Sequence, residues 1–124
     1  MTLNEYQEKA MSTCMDSCNN FSYMMLNLVG EVGELSSKVA KMIRKGKFEI
    51  GGESNLRVDI KAMNGDDIET IDKELKLEAG DIAWQLAGLC KVFGWSLEDV
   101  CQANLDKLAS RKARGVIDGN GDER

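Results

Sequence analysis

Two acidic pairs carry the residue types best suited to chemistry: Glu31-Val32-Gly33-Glu34 and Glu78-Ala79-Gly80-Asp81. A spacing of three puts both carboxylates of a pair on one side of a helix, about 60° apart. Four carboxylates gathered at one margin repel one another, and some would hold protons unless a counter-charge relieves them. A divalent cation does this, and hard oxygen ligands select Mg²⁺, Mn²⁺ or Ca²⁺ over zinc or copper. The loop spacing of an EF-hand is absent, which argues against a calcium sensor. Mg²⁺ keeps several waters and takes a few carboxylates together with substrate phosphates, which suits acids facing an open cleft. The chain has no histidine. That excludes a Ser-His-Asp triad, a Cys-His pair and a His-ligated metal, and it argues against a di-iron bundle.

Cations of matching chemistry are at hand. Lys38 follows Glu34 by four residues, on the flank that carries the acids. Further on, Asn104, Lys107 and Arg111 recur at offsets 0, 3 and 7 on one side of a helical pattern. Metal, acids and cations together suit a polyphosphate ligand, because phosphoryl chemistry rests on positioning and charge neutralisation. A water activated beside the metal, with a Glu as base, would be the nucleophile. Taken singly, each acidic pair also reads as solvated surface acids, with Lys38 as an i,i+4 partner worth a few tenths of a kcal/mol. Lys107 and Arg111 also read as ordinary cations at a helix end.

What lifts the acids above that background is register. Leu28, Val32, Leu35, Val39 and Met42 recur at offsets 0, 4, 7, 11 and 14, and Leu75, Ala79, Ile82, Leu86 and Leu89 repeat the same offsets. In both stripes the acids sit about 60° and 120° to the same side of the first apolar residue. Two such helices packed on one core would align their acidic borders.

The remaining elements follow from start and stop signals. Thr2-Leu3-Asn4-Glu5 is a capping box, and Leu3, Tyr6, Ala10, Cys14 and Cys18 give the first helix its buried face. A second helix is expected from Phe21 to Lys45, ended by Gly46 after Lys41, Arg44 and Lys45. Between 46 and 66, alternation at Phe48 and Ile50 and again at Leu56, Val58 and Ile60, around Gly51-Gly52, predicts a hairpin or extended arm, with a mobile insertion as the other reading. Asn64-Gly65-Asp66-Asp67 reads as a turn. A third helix from Ile68 to Phe93 stops at Gly94, and Ser96-Leu97-Glu98-Asp99 caps a fourth, 97–113, with Leu97, Cys101, Leu105 and Leu108 on its apolar face. Gly33 and Gly80 match in register and suggest close approach of helices, within or between subunits. The fold class expected is all-α: an antiparallel four-helix-bundle core with a hairpin or extended insertion between helices 2 and 3.

Composition agrees. The chain of 124 residues has no proline and a net charge of −5, which suits one helical core and disfavours a nucleic-acid binder. No apolar run reaches membrane-span length and no signal peptide is visible, so a cytoplasmic protein is expected. The four cysteines sit at apolar positions and read as reduced core thiols, a zinc site being disfavoured without histidine.

Glu-x-x-Glu followed by Glu-x-x-Asp on two helices resembles the MazG-type, all-α nucleoside triphosphate pyrophosphohydrolases. The resemblance runs from Leu3-Asn4-Glu5-Tyr6-Gln7 through both acidic motifs to Asn104-Leu105-Asp106-Lys107-Leu108, Arg111 and the tail Arg114-Gly115-Val116-Ile117-Asp118-Gly119-Asn120-Gly121-Asp122. It implies one MazG-like helical domain over 1–115, with the 46–66 arm as an insertion and 116–124 as an irregular tail. It implies Mg²⁺-dependent hydrolysis of an NTP or dNTP to the monophosphate and pyrophosphate, with Mn²⁺ as a substitute metal. Glu31, Glu34, Glu78 and Asp81 would be metal ligands and catalytic residues, and Lys38, Asn104, Lys107 and Arg111 would contact phosphate or sugar. It also implies a homodimer or homotetramer. Two other readings stand beside it: a phosphoribosyl-ATP-type pyrophosphohydrolase, and a nucleotide-binding helical regulatory module without turnover.

Overall fold

A computed structural model describes residues 1–46, 48–51, 57–60 and 68–124. Its elements are α1 (Leu3–Met11), a single 3-10 turn (Asp16–Cys18), α2 (Phe21–Arg44), β1 (Phe48–Gly51), β2 (Arg57–Ile60), α3 (Ile68–Val92) and α4 (Leu97–Ala113). The class is all-α and bundle-like, with a short hairpin as its insertion. No helix among the described residues is long and apolar enough to cross a membrane. The turn expected at Asn64–Asp67 lies outside the described residues.

The helix ends obey the local chemistry. Thr2 Oγ1 accepts the Glu5 N–H at 3.1 Å and Glu5 Oε2 accepts the Thr2 N–H at 2.6 Å, completing the box that opens α1. Gly46, Gly94 and Gly115 follow α2, α3 and α4 at φ 72°, 72° and 68°, the left-handed conformation that glycine adopts without strain. At Ser96 half of the expected box forms. Its Oγ accepts the Asp99 N–H at 3.2 Å and gives its own proton to Asn4 Oδ1 at 2.6 Å. The first helix is shorter than expected. Ser12 Oγ and Thr13 Oγ1 donate back to the Lys9 and Ala10 carbonyls, competing with helix propagation, so Cys18 is buried from the 3-10 turn instead.

The chain forms two compact units. One comprises Met1–Phe21 and Ala87–Arg124. In it, Met11, Cys18, Ala87, Cys90 and Leu97 are buried, and the rings of Phe21, Phe93 and Trp95 pack in sequence, at 5.6 Å edge-on and then 4.4 Å stacked. Gln7 ties this unit together. Its Nε2 donates to the carbonyls of Ala87 (3.2 Å) and Trp95 (3.0 Å), and its Oε1 accepts the Leu97 N–H (2.9 Å). The four cysteines are free thiols, Cys18 and Cys90 buried, and burial raises the Cys90 pKa. Leu105 and Leu108, expected on the buried face of α4, are exposed in the chain.

The other unit, Ser22–Leu86, holds most of α2, the hairpin and most of α3. β1 and β2 pair antiparallel, with Phe48 opposite Ile60 and Ile50 opposite Val58. Met42 and Ile71 are buried against each other, with Val39 and Leu75 packed on them. Low numbers on α3 thus meet high numbers on α2, so the two helices run antiparallel. The expected stripes are followed in part. Val32 and Leu86 are exposed, while Met24 and Gln85 are buried. Around Gly33 and Gly80 an added Cβ meets nothing within 4 Å, so no close helix approach occurs there among the described residues.

Candidate metal centre

Antiparallel packing of α2 on α3 determines which acids meet. One carboxylate oxygen each from Glu31, Glu78 and Asp81 lie within 4.8 Å of one another. Glu31 and Glu78 are half-buried and Asp81 is exposed. Glu34, one turn along α2, is exposed and outside this trio. The shared register thus aligns the acidic borders, but with three carboxylates converging and the fourth at the rim.

The trio is electrostatically unbalanced. Burial, then the charges of Asp81, Glu34 and Glu78, push the Glu31 carboxyl above its ordinary value, while a hydrogen bond from Asn27 Nδ2 at 3.0 Å opposes them. Lys38 supplies a positive charge. Its Nζ lies 2.6 Å from Glu78 Oε1, and that bond raises the lysine pKa. Glu78 Oε2 is buried with no hydrogen-bond partner among the described residues, and its side chain is only 12% exposed. A buried, unpaired carboxylate oxygen is costly. Glu78 is one of three residues whose carboxylate oxygens lie in one another's neighbourhood, so these residues could hold a divalent metal ion.

The cations expected on α4 belong to the other unit. Asn104 and Lys107 are exposed, whereas Arg111 is 5% exposed. Arg111 Nη2 donates to the carbonyl oxygens of Gly121 (3.3 Å) and Asp122 (3.2 Å) and to Asp122 Oδ1 (3.0 Å), and Lys107 Nζ lies 3.7 Å from the same carboxylate oxygen. The tail is thus folded back onto α4. Asn104, expected near the buried stripe, projects to solvent because the leucines flanking it are themselves exposed.

Sequence reasoning passed over Gln7, Asn27 and Asp122. Asn27 could have been found: it lies four residues before Glu31, where an amide reaches the next turn. Asp122 could have been noticed as an acid next to the flexible Gly119-x-Gly121 step. Gln7 gave no such sign, since its partners are main-chain atoms some 80–90 positions away.

A family model described as the MazG nucleotide pyrophosphohydrolase domain matches residues 19–116. The Gene 37 protein of Mycobacterium phage L5 is 37% identical over 131 aligned positions, with both chains covered in full. No solved structure matches. The matched span contains α2, α3, α4 and both acidic pairs, and the chain belongs to the MazG nucleotide pyrophosphohydrolase domain family.

Proposed function

We propose that this chain hydrolyses nucleoside triphosphates, NTP or dNTP, to the monophosphate and pyrophosphate with Mg²⁺, in the upkeep of the cytoplasmic nucleotide pool. The observation that carries this reading is the approach of one carboxylate oxygen each from Glu31, Glu78 and Asp81 to within 4.8 Å of one another, on residues of which Glu78 keeps a buried Oε2 without a hydrogen-bond partner among the described residues. These three would hold the metal, which when bound neutralises polyphosphate charge and lowers the pKa of water. Glu34, exposed on the same helix as Glu31, would accept a proton from the attacking water. Lys38, released from Glu78, would bind a phosphate oxygen. Lys107 and Arg111 would do the same, with Asn104 at the sugar.

The working form is a homodimer or homotetramer. Leu26, Val29 and Leu77 are 75%, 70% and 61% exposed in the single chain, and Gly33 and Gly80 offer open backbone beside them in sequence. Apolar exposure of this kind marks an interaction surface. Light scattering during size exclusion tests the assembly, and a monomer at micromolar concentration refutes it.

The decisive assay is pyrophosphate release from a panel of canonical and modified NTPs and dNTPs, with phosphoribosyl-ATP included, in Mg²⁺. Release of pyrophosphate from nucleoside triphosphates is expected. Turnover of phosphoribosyl-ATP alone would replace the substrate class, and tight binding without release would make the chain a regulatory module.

A further inference from the structure

The tail of this chain places a carboxylate on the two α4 cations read above as phosphate contacts. Arg111 is nearly fully buried, yet its Nη2 is satisfied by tail atoms alone among its described partners: the Gly121 and Asp122 carbonyls and Asp122 Oδ1. Its Nε is buried with no hydrogen-bond partner. A guanidinium presents its donors as a fork that matches two oxygens of a carboxylate or phosphate, and here one prong is left empty. Lys107 approaches the same Asp122 oxygen at 3.7 Å, a long and weak contact.

Asp122 itself is 88% exposed, and among the described residues its carboxylate pairs with Arg111 and Lys107. Gly121, at φ 80°, is the bend that turns the chain back to deliver it. The Arg111 and Lys107 charges hold the Asp122 carboxyl below its ordinary range, so it is an anion at neutral pH. An external phosphate and this carboxylate have the same sign and the same partners. They cannot occupy the Lys107–Arg111 pair together.

We propose that Asp122 is a built-in competitor for the polyphosphate of the ligand: the tail closes the Lys107–Arg111 anion site in the free protein, and polyphosphate binding expels it. The exchange replaces one carboxylate by a group with more oxygens and more charge, which can also reach the empty Arg111 Nε. It rests on the reading of Lys107 and Arg111 as phosphate contacts. The competition lowers apparent affinity by the fraction of molecules whose tail is open. If the tail is docked about nine-tenths of the time, removing the competitor tightens binding about tenfold.

The test is calorimetric titration of the full chain with inorganic pyrophosphate in EDTA, and in parallel with a nucleoside triphosphate, for the parent, Asp122→Asn and Lys107→Met. Asp122→Asn keeps the carbonyl contacts of the tail and removes only its charge. It should bind pyrophosphate about tenfold more tightly, and in the parent the amide resonances of Gly119, Gly121 and Asp122 should move to coil positions as pyrophosphate saturates. An Asp122→Asn affinity equal to or weaker than the parent overturns the inference, as do tail resonances that stay in place at saturation. If Lys107→Met binds as tightly as the parent, the phosphate reading of α4 fails, and the inference with it. Tightening with pyrophosphate but not with the triphosphate would assign the exchange to the product, and tightening with both to the shared polyphosphate chemistry.

Discussion

Lys38 Nζ sits 2.6 Å from Glu78 Oε1, on the carboxylate whose other oxygen is buried without a partner. The lysine stands as counter-ion to the acids, and a metal would compete with it for Glu78. Removing it should therefore have opposite effects on two measurements. Lys38→Met should bind Mg²⁺ more tightly, because the Glu78 oxygen that the lysine occupies becomes free for the metal. The same variant should lose turnover, because the cation freed for the phosphate is gone. Metal titration followed by kinetics checks both, and weaker Mg²⁺ binding in Lys38→Met would show that the lysine supports the metal set.

Glu78 and Glu34 are both members of the acidic pairs read from the sequence, and the structure separates them. Glu78 belongs to the converging trio and Glu34 stands at its rim. Outer-shell partners of a metal cost about 10–100-fold when removed, so a direct ligand costs at least about 100-fold in metal affinity. Glu78→Gln should show that loss. Glu34→Gln should keep most of the metal affinity and lose turnover, as befits a base. Equal loss of metal affinity in both would return Glu34 to the ligand set.

The Glu31 carboxyl gives the pH dependence its sign. Its folded pKa is raised above 4.5 by burial first and by neighbouring acids next. The native state then holds the proton to higher pH than the unfolded chain, so this group's contribution to stability falls as pH rises from about 4.5 through the raised value. Above that window Glu31 destabilises the metal-free protein. Glu31→Gln should raise its melting temperature at pH 7. A full 1 kcal/mol would be about 4 °C for a chain of this size, and water screening makes the gain smaller. With Mg²⁺ present the order should reverse, because the parent gains binding energy that the variant loses. Melting curves at pH 5 and 7 with and without Mg²⁺ decide it.

Much of this was legible in residue types, and what was not has physical reasons. Helix ends were readable because Thr2, Ser96, Gly46, Gly94 and Gly115 act through bonds and dihedrals local to themselves. The pairing of Phe48 with Ile60 follows from period-2 alternation on the two strands. The acids were readable as a set because antiparallel packing of two stripes in equal register brings the same flank of each helix to one edge. Their division into a trio and a rim was not, since it depends on how antiparallel helices slide past each other. The exposure of Val32, Leu86, Leu105 and Leu108 was equally hidden, because an apolar stripe does not state whether its cover is this chain or another.

Gln7 shows the limit most clearly and gives the last prediction. By composition it is a neutral amide in a short helix, yet it bonds three main-chain groups: Ala87 in α3, Trp95 in the joint that follows and Leu97 at the start of α4. Gln7→Ala leaves two carbonyls and one N–H to find water. Leaving buried groups unpaired costs about 1–3 kcal/mol, and part of this one is solvent-accessible. The melting temperature should fall by about 4–10 °C, at about 4 °C per kcal/mol for a chain this long. Gln7→Glu separates bonding from shape. It keeps the acceptor for the Leu97 N–H but turns a carboxylate toward the Ala87 and Trp95 carbonyls, so it should be at least as destabilised as the alanine variant at pH 7. It should recover as pH falls and the carboxyl gains a proton to donate. A Gln7→Glu melting temperature equal to the parent's at pH 7 would mean that the two donated bonds contribute nothing, and that α1 is held by packing alone.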